Sequence, residues 1–407
     1  MSASTSTGLR QPEYAMFPTE EYLERVRKAR LLMEERGVDA LLLTAKENVV
    51  YFSGIRTIGW TSKHRPVGVI VPRESDKPVI SVIPETLYDV SFHSSWVDEI
   101  RPWGGWRRSD AVPDPIIGIE NAIKELGLES GTIGLELGYG QRIAMSQEDF
   151  ADLQSRLKGT TIVDASGIIW DLRMIKSDRE VEALRKACDA TNKAFERGFS
   201  SIYPGMLERE LAANIMSELA LETQEIPGFL MIRSGPMKYG MVNVLPFEKP
   251  MQPGDIVVVD VGANYNYYWS DFMRMACIGE PSAEQRRFFE AESKSQQAGV
   301  DVIRPGIKLH EIFDACYDSL MDSHMKEHVP GLERVGHGVG LDPHEPPSIS
   351  KTSQVIAQPN MILTVEPIFW DKPDHVIGNF ALEDQVVVTE TGHEILSTFS
   401  KELYIVD

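Results

Sequence analysis

Cysteine is scarce in this 407-residue chain: Cys188, Cys277 and Cys316 are the only three. An odd, widely spaced set offers neither a disulfide framework nor a zinc knuckle. The thiols therefore read as reduced, buried small hydrophobes of a cytoplasmic protein. Basic charge is short as well, with 41 Lys and Arg against 61 Asp and Glu and a net charge of −20. Nucleic acid and anionic membranes both demand a basic face, so neither is an expected partner. Apolar runs such as residues 40–43 and 256–259 fall far below the ~20 residues of a membrane helix. The opening MSASTSTGLRQPEYA contains no apolar stretch of the secretory kind. No fixed-period repeat occurs, and the only biased tract is the Ser/Thr-rich beginning. What remains is a soluble globular chain, long enough for about 2–3 domains at ~150 residues each, with carboxylates to spare for cation binding.

The pattern of elements divides the chain near residue 175. Thr19 caps a helix whose apolar stripe is Tyr22, Val26, Ala29 and Met33, and Gly37 ends it. Strands are expected at 39–44, 67–71, 79–83, 132–135 and 161–163, with helices at 115–126 and 147–157. Such alternation makes residues 15–170 an α/β domain. Helical character returns between 167 and 199, where Ser177 or Asp178 caps a new helix. Further helices are expected at 208–219, 284–302 and 309–324, and strands at 229–234, 256–261, 269–278, 362–367 and 380–389. Blocks of like elements over residues 175–405 indicate α+β architecture with an antiparallel sheet.

Several of these strands carry acids where apolar residues belong. Ile256-Val257-Val258-Val259-Asp260-Val261-Gly262 reads as a strand buried on both faces, with a carboxylate inside it. The next strand holds Asp271; a hairpin turning at Tyr265-Asn266 sets Asp260 directly opposite Asp271. Like charges that close repel, and buried carboxylates tolerate the contact only by sharing a proton or a cation. Glu366 ends the strand Met361-Ile362-Leu363-Thr364-Val365, and Glu383 lies in Phe380-Ala381-Leu382-Glu383-Asp384-Gln385-Val386. His337 is bracketed by glycines in Gly336-His337-Gly338-Val339-Gly340, which lets backbone approach it closely. An oxygen-rich set with one imidazole suits Mn, Fe, Co or Zn.

The motifs VVVDVGANYNYYWSDF, GHGVGLDPHEPP, MILTVEPIFW and FALEDQVVVTETGHEIL, in this order and spacing, resemble the creatinase/aminopeptidase P family with its pita-bread catalytic domain. The stretch LRMIKSDREVEALRKACDATNKAF resembles that family's entry into the catalytic domain. The resemblance implies an N-terminal creatinase-like domain over 15–170 and a pita-bread domain over 175–405. It implies two divalent ions held by Asp260, Asp271, His337, Glu366 and Glu383, with Asp271 and Glu383 bridging both. It makes His344 the histidine that binds substrate and stabilises the tetrahedral intermediate, and Glu366 the carrier of the proton. His310, His324, His328, His375 and His393 have no such context and read as structural.

Two positions depart from the family's peptidases. The histidine expected 17 residues before Asp260 is Asn243, still followed by Pro246, and the arginine expected two residues before Glu383 is Ala381. Asn cannot be a cation or carry a proton near neutral pH. In the first domain, Trp60-Thr61-Ser62-Lys63-His64-Arg65-Pro66 resembles creatinase and ectoine hydrolase. The resemblance implies a homodimer in which Arg65 reaches the neighbour's substrate carboxylate, with Trp96, Trp103 and Trp106 as candidates to line that cleft.

Three function classes follow. The leading one is a dinuclear-metal hydrolase of an amide or related C–N bond, acting on an Xaa-Pro dipeptide or a small zwitterionic carboxylate. The second is a lyase resembling the dimethylsulfoniopropionate lyases. The third is a pita-bread binding module without catalysis, against which all five metal-ligand positions are filled.

Overall fold

In a computed structural model, residues 10–324, 326, 331–368 and 377–407 are described. The chain divides into two compact units, Met1–Arg173 and Met174–Asp407.

The first unit is built on a six-stranded sheet. Its strands are β1 (Ala40–Leu43), β2 (Gly68–Pro72), β3 (Ile80–Pro84), β4 (Glu99–Trp103), β5 (Thr132–Leu135) and β6 (Thr161–Asp164), in spatial order β4-β3-β2-β1-β5-β6. The β1–β5, β5–β6 and β3–β4 pairs are parallel, and β1–β2 and β2–β3 are antiparallel. Helix Thr19–Arg36 begins one residue earlier than a Thr19 cap would place it, with Pro18 at the cap, and ends at left-handed Gly37. Helix Pro115–Glu125 starts on Asp114, whose carboxylate accepts the Ile116 and Ile117 N–H groups. Its Ile116, Ile119 and Ile123 pack on Leu42, Ile70 and Val82 of the sheet. Strand β4 had no expectation in the sequence: Pro102 and a half-exposed alternation disguise an edge strand.

The second unit opens with helix Asp178–Ser200, where Ser177 and Glu180 form a reciprocal capping box. Strands β7 (Phe229–Ser234), β8 (Ile256–Gly262), the short pair β9 (Asn264–Tyr265) and β10 (Tyr268–Trp269), and β11 (Phe272–Ile278) follow. Next come β12 (Arg334–Gly338), β13 (Glu345–Ser350), β14 (Ile362–Val365), β15 (Asp384–Val388), β16 (His393–Ile395) and β17 (Tyr404–Val406). Among the described residues β9 and β10 pair only with each other, and the rest form one sheet of order β17-β11-β8-β7 and another of order β13-β12-β14-β15-β16. The second is antiparallel throughout, while β17 joins the first in parallel.

The hairpin register differs from the sequence expectation. Asn266 and Tyr267 both have positive φ, so the turn centres on them, one residue later than Tyr265-Asn266. Asp260 pairs with Met273, and Asp271 sits one diagonal step away. A slip of two residues leaves the face unchanged, so both carboxylates still point the same way. The three cysteines are free and buried. No described helix is long and apolar enough to cross a membrane.

Candidate metal centre

Strand ends from both sheets of the second unit converge on one cluster. Asp260 comes from β8, Asp271 from just before β11, His337 from β12, Glu366 from just after β14, and Glu383 from just before β15. Ligand atoms of Asp260, Asp271 and Glu383 lie within 4.8 Å of one another, as do those of His337, Glu366 and Glu383. A third such group is Asp271, His337 and His344. All five proposed ligands are buried.

The surroundings fix each side chain. The Asp271 N–H donates to Gln385 Oε1 at 2.8 Å. Gly336 has φ +155, and a Cβ there would stand 2.1 Å from the Thr364 carbonyl oxygen, so only glycine lets β12 approach β14. The glycines beside His337 thus admit neighbouring backbone rather than a ligand. His337 Nδ1 lies 2.9 Å from the Gly338 carbonyl oxygen, a contact that keeps the proton on Nδ1 and turns Nε2 to the carboxylates. Behind the cluster, buried Arg274 donates to the carbonyl oxygens of Met273, Glu383, Ser397 and Phe399 and to Asp384 Oδ1.

The donor set fits divalent ions. Asp260 Oδ1, Glu383 Oε1 and His337 Nε2 are buried without a hydrogen-bond partner among the described residues. Burial pushes the Asp260 carboxyl up to about 7, with Arg233 opposing and Glu366 adding to the rise. Burial raises Asp271 and Glu383 as well, reinforced by their neighbouring carboxylates. Glu366 goes the other way: burial would raise it, but His337 and Arg334 hold it below the ordinary range. Three acids that resist ionisation beside one that does not are what a cation would relieve.

The cluster lies in the wall of a cavity of about 940 Å³ that Asn243, His344, Arg233 and Arg334 also line. The His344 ring packs on that of His337, tilted by 34° with centroids 4.2 Å apart. Burial, with His337 beside it, pushes its pKa down to about 4, so it is a neutral imidazole at pH 7. Asn243 is exposed, with φ 52, while Ala381 is buried in an apolar cluster with Val258 and Met273. Two arginines escaped the sequence reading. Arg334 Nη2 stands 3.2 Å from Glu366 Oε1 with 45% of its side chain exposed. Arg233 is almost completely buried. The other histidines lie elsewhere: His310 meets Asp314, His393 meets the Ile303 carbonyl and His324 packs on Phe288. His328 and His375 fall outside the described residues.

In the first unit, Arg65, His64, Trp103 and Trp106 line a separate cleft of about 240 Å³ with Glu85. Trp96 does not share it; its indole donates to the Phe52 carbonyl at 2.8 Å.

Comparison with known proteins bears on both units. The profile of metallopeptidase family M24 matches residues 182–390, and that of the creatinase/prolidase N-terminal domain matches 25–175. The chain is 29% identical to the Xaa-Pro dipeptidase of Pyrococcus furiosus over 384 residues, 93% of this chain and 99% of the relative. The crystal structure of dipeptidase PepE from Mycobacterium ulcerans is similar with TM-score 0.81 at 28% identity, covering 96% of this chain and 99% of that one. The prolidase structure from Pyrococcus horikoshii gives TM-score 0.79 at 25% identity, over 93% and 99% of the two chains. Neither the lyase nor the binding-module alternative finds support among them. The chain belongs to metallopeptidase family M24, the creatinase/aminopeptidase P group of metal-dependent hydrolases, with a creatinase-like domain preceding its pita-bread domain.

Proposed function

We propose that this protein hydrolyses the amide bond of an Xaa-Pro dipeptide or a related small carboxylate, using two divalent ions held by Asp260, Asp271, His337, Glu366 and Glu383. The observation that carries the proposal is the buried cluster with three unpartnered donor atoms. Divalent ions bound there supply Lewis acidity, making a water acidic enough to attack at neutral pH and polarising the scissile carbonyl. The protein's own groups do the rest. Glu366, kept ionised by His337 and Arg334, accepts the proton of the attacking water and delivers it to the leaving nitrogen. His344, neutral at pH 7, donates an N–H to the developing oxyanion, and the Asn243 amide can donate beside it. The test is free proline release from Ala-Pro by protein stripped of metal and by the same protein after manganese is restored. Acrylate release from dimethylsulfoniopropionate, without proline release, would favour the lyase instead.

Asn243 sets a quantitative expectation. An amide brings no positive charge to the oxyanion, and losing one stabilising donor costs about 10²–10³ in kcat. Asn243→His is therefore expected to raise kcat on Ala-Pro by up to about 10²-fold. A variant slower than wild type would show that Asn243 already suits the dipeptide.

The same reading makes the protein a homodimer in which Arg65 of one chain serves the other's cavity. Val242, Leu245 and Phe247, exposed apolar side chains at or beside the cavity wall, supply a surface that a second chain would cover. A charge-assisted contact is worth about 1.5–3 kcal/mol, so Arg65→Ala should raise KM for a dipeptide by about 10–100-fold. An unchanged KM, or a sedimentation mass of a single chain, would remove the basis for it.

A further inference from the structure

The loop between β12 and β13 joins the two histidines that line the cavity. His337 lies beside the end of β12, and His344 immediately precedes β13, whose first residue, Glu345, pairs with Gly338. The loop thus returns His344 to the site, where its ring packs on that of His337.

Glu345 is buried and turns its carboxylate into this loop. Its Oε1 accepts the Asp342 N–H at 3.1 Å. A Cβ on Gly340 would stand 2.6 Å from both carboxylate oxygens, so the loop closes around Glu345 only with glycine there. Trp269 fastens the same loop: its backbone N–H donates to the Gly340 carbonyl and its indole to the Leu341 carbonyl.

A buried carboxylate is costly without an opposite charge. Lys176 supplies one: its Nζ lies 3.2 Å from Glu345 Oε2, with 2% and 1% of the two side chains exposed. The lysine stands just ahead of Ser177, the cap of helix Asp178–Ser200. Its own N–H donates to the carbonyl of Asn360, shortly before β14. A fixed backbone therefore holds the ammonium, and the ammonium meets the side chain of the residue next to His344.

We propose that Lys176 is a positioning residue of the hydrolase: through Glu345 it fixes the loop that aims the His344 imidazole at the reacting carbonyl. This rests on the reading of His344 as a donor to the oxyanion. Without the ammonium, the buried Glu345 carboxylate must take up a proton or draw water into the loop, and either change loosens its neighbour. A displacement of about 1 Å can cost about 10²-fold in rate.

Manganese-loaded Lys176→Met is expected to lose about tenfold or more in kcat on Ala-Pro, with KM and manganese content near wild type. Lys176→Arg, which keeps the charge, should recover most of that loss. In a His344→Ala background, Lys176→Met should change kcat by less than about twofold, since the group it positions is gone. Wild-type kcat in Lys176→Met, or an equal fold-loss in both backgrounds, overturns the proposal. If Lys176→Met fails to fold, Glu345→Gln carries the test in the same two backgrounds with the same two outcomes. It keeps an acceptor for the Asp342 N–H and removes the charge that Lys176 meets.

Failure of the underlying reading looks different: wild type releases no proline, or His344→Ala keeps wild-type kcat. Ring signals of zinc-loaded protein made with isotope-labelled histidine then decide, the His344 signal being assigned by its loss in His344→Ala. A His344 signal that shifts or broadens in Lys176→Met or Glu345→Gln, while those of His310 and His393 stay unchanged, supports the positioning role. An unchanged His344 signal overturns it.

Discussion

Asp271→Ala is expected to empty the cluster while leaving the metal-free fold at least as stable as wild type. The two halves of this result have different causes. If Asp271 is shared between two ions as proposed, its loss outweighs that of an outer-shell partner, which already weakens metal binding by about 10–100-fold. Metal content and turnover should therefore fall by more than about 100-fold. Without metal the sign reverses. Burial and the neighbouring acids raise the Asp271 pKa in the folded chain. A raised carboxyl pKa gives stability that is full below the unfolded-state value and is lost as pH rises through the folded-state value. At pH 7 the ion-free site is thus burdened by Asp271, and alanine relieves it. Thermal unfolding with and without manganese reads both effects: the variant should lose the metal-dependent rise in Tm and show no drop in the metal-free Tm. Full metal content in Asp271→Ala would refute its place in the centre.

Arg274→Ala should cost far more in the fold itself. The guanidinium is buried and serves five acceptors, four carbonyl oxygens and Asp384 Oδ1. Its salt bridge to Asp384 is closed to solvent on both sides. Breaking a buried pair by removing one partner costs about 3–5 kcal/mol, because the other charge stays behind. Lys401 Nζ, 2.9 Å from Asp384 Oδ2, softens that penalty without reaching the carbonyl oxygens. One of those carbonyls belongs to Glu383, so weaker metal binding should accompany the loss of stability. Urea unfolding of the metal-free protein checks the first, and a loss below about 1 kcal/mol would show that the network adds little.

The proposed ligand positions stand out in the sequence because charge and pattern disagree at them. A carboxylate within a β-branched run is anomalous whatever the tertiary structure, so Asp260 and Glu383 could be picked out from the sequence. The capping residue Ser177 was legible for the opposite reason: its hydrogen bonds are local. Strands β12 and β13 were not, since glycine and proline break the periodicity that marks a strand. The hairpin register was off by two residues, because Asn266 and Tyr267 both adopt positive φ and Tyr267 gives no sequence signal for it. Arg233 was missed although the same anomaly marks it. Phe229-Leu230-Met231-Ile232-Arg233-Ser234 puts a cation near a strand end, where an arginine ordinarily turns to solvent. Only the pairing of β7 with β8 shows that it faces Asp260. Arg334 belongs to a stretch read for its histidine, and its approach to Glu366 spans 32 residues of sequence.

The most direct measurement is anomalous X-ray scattering from crystals grown with manganese, recorded at the manganese edge. Two peaks about 3.5–4 Å apart, with Asp271 and Glu383 each contacting both, are the predicted result. A single peak, or manganese bound away from Asp260, Asp271, His337, Glu366 and Glu383, would contradict the dinuclear centre.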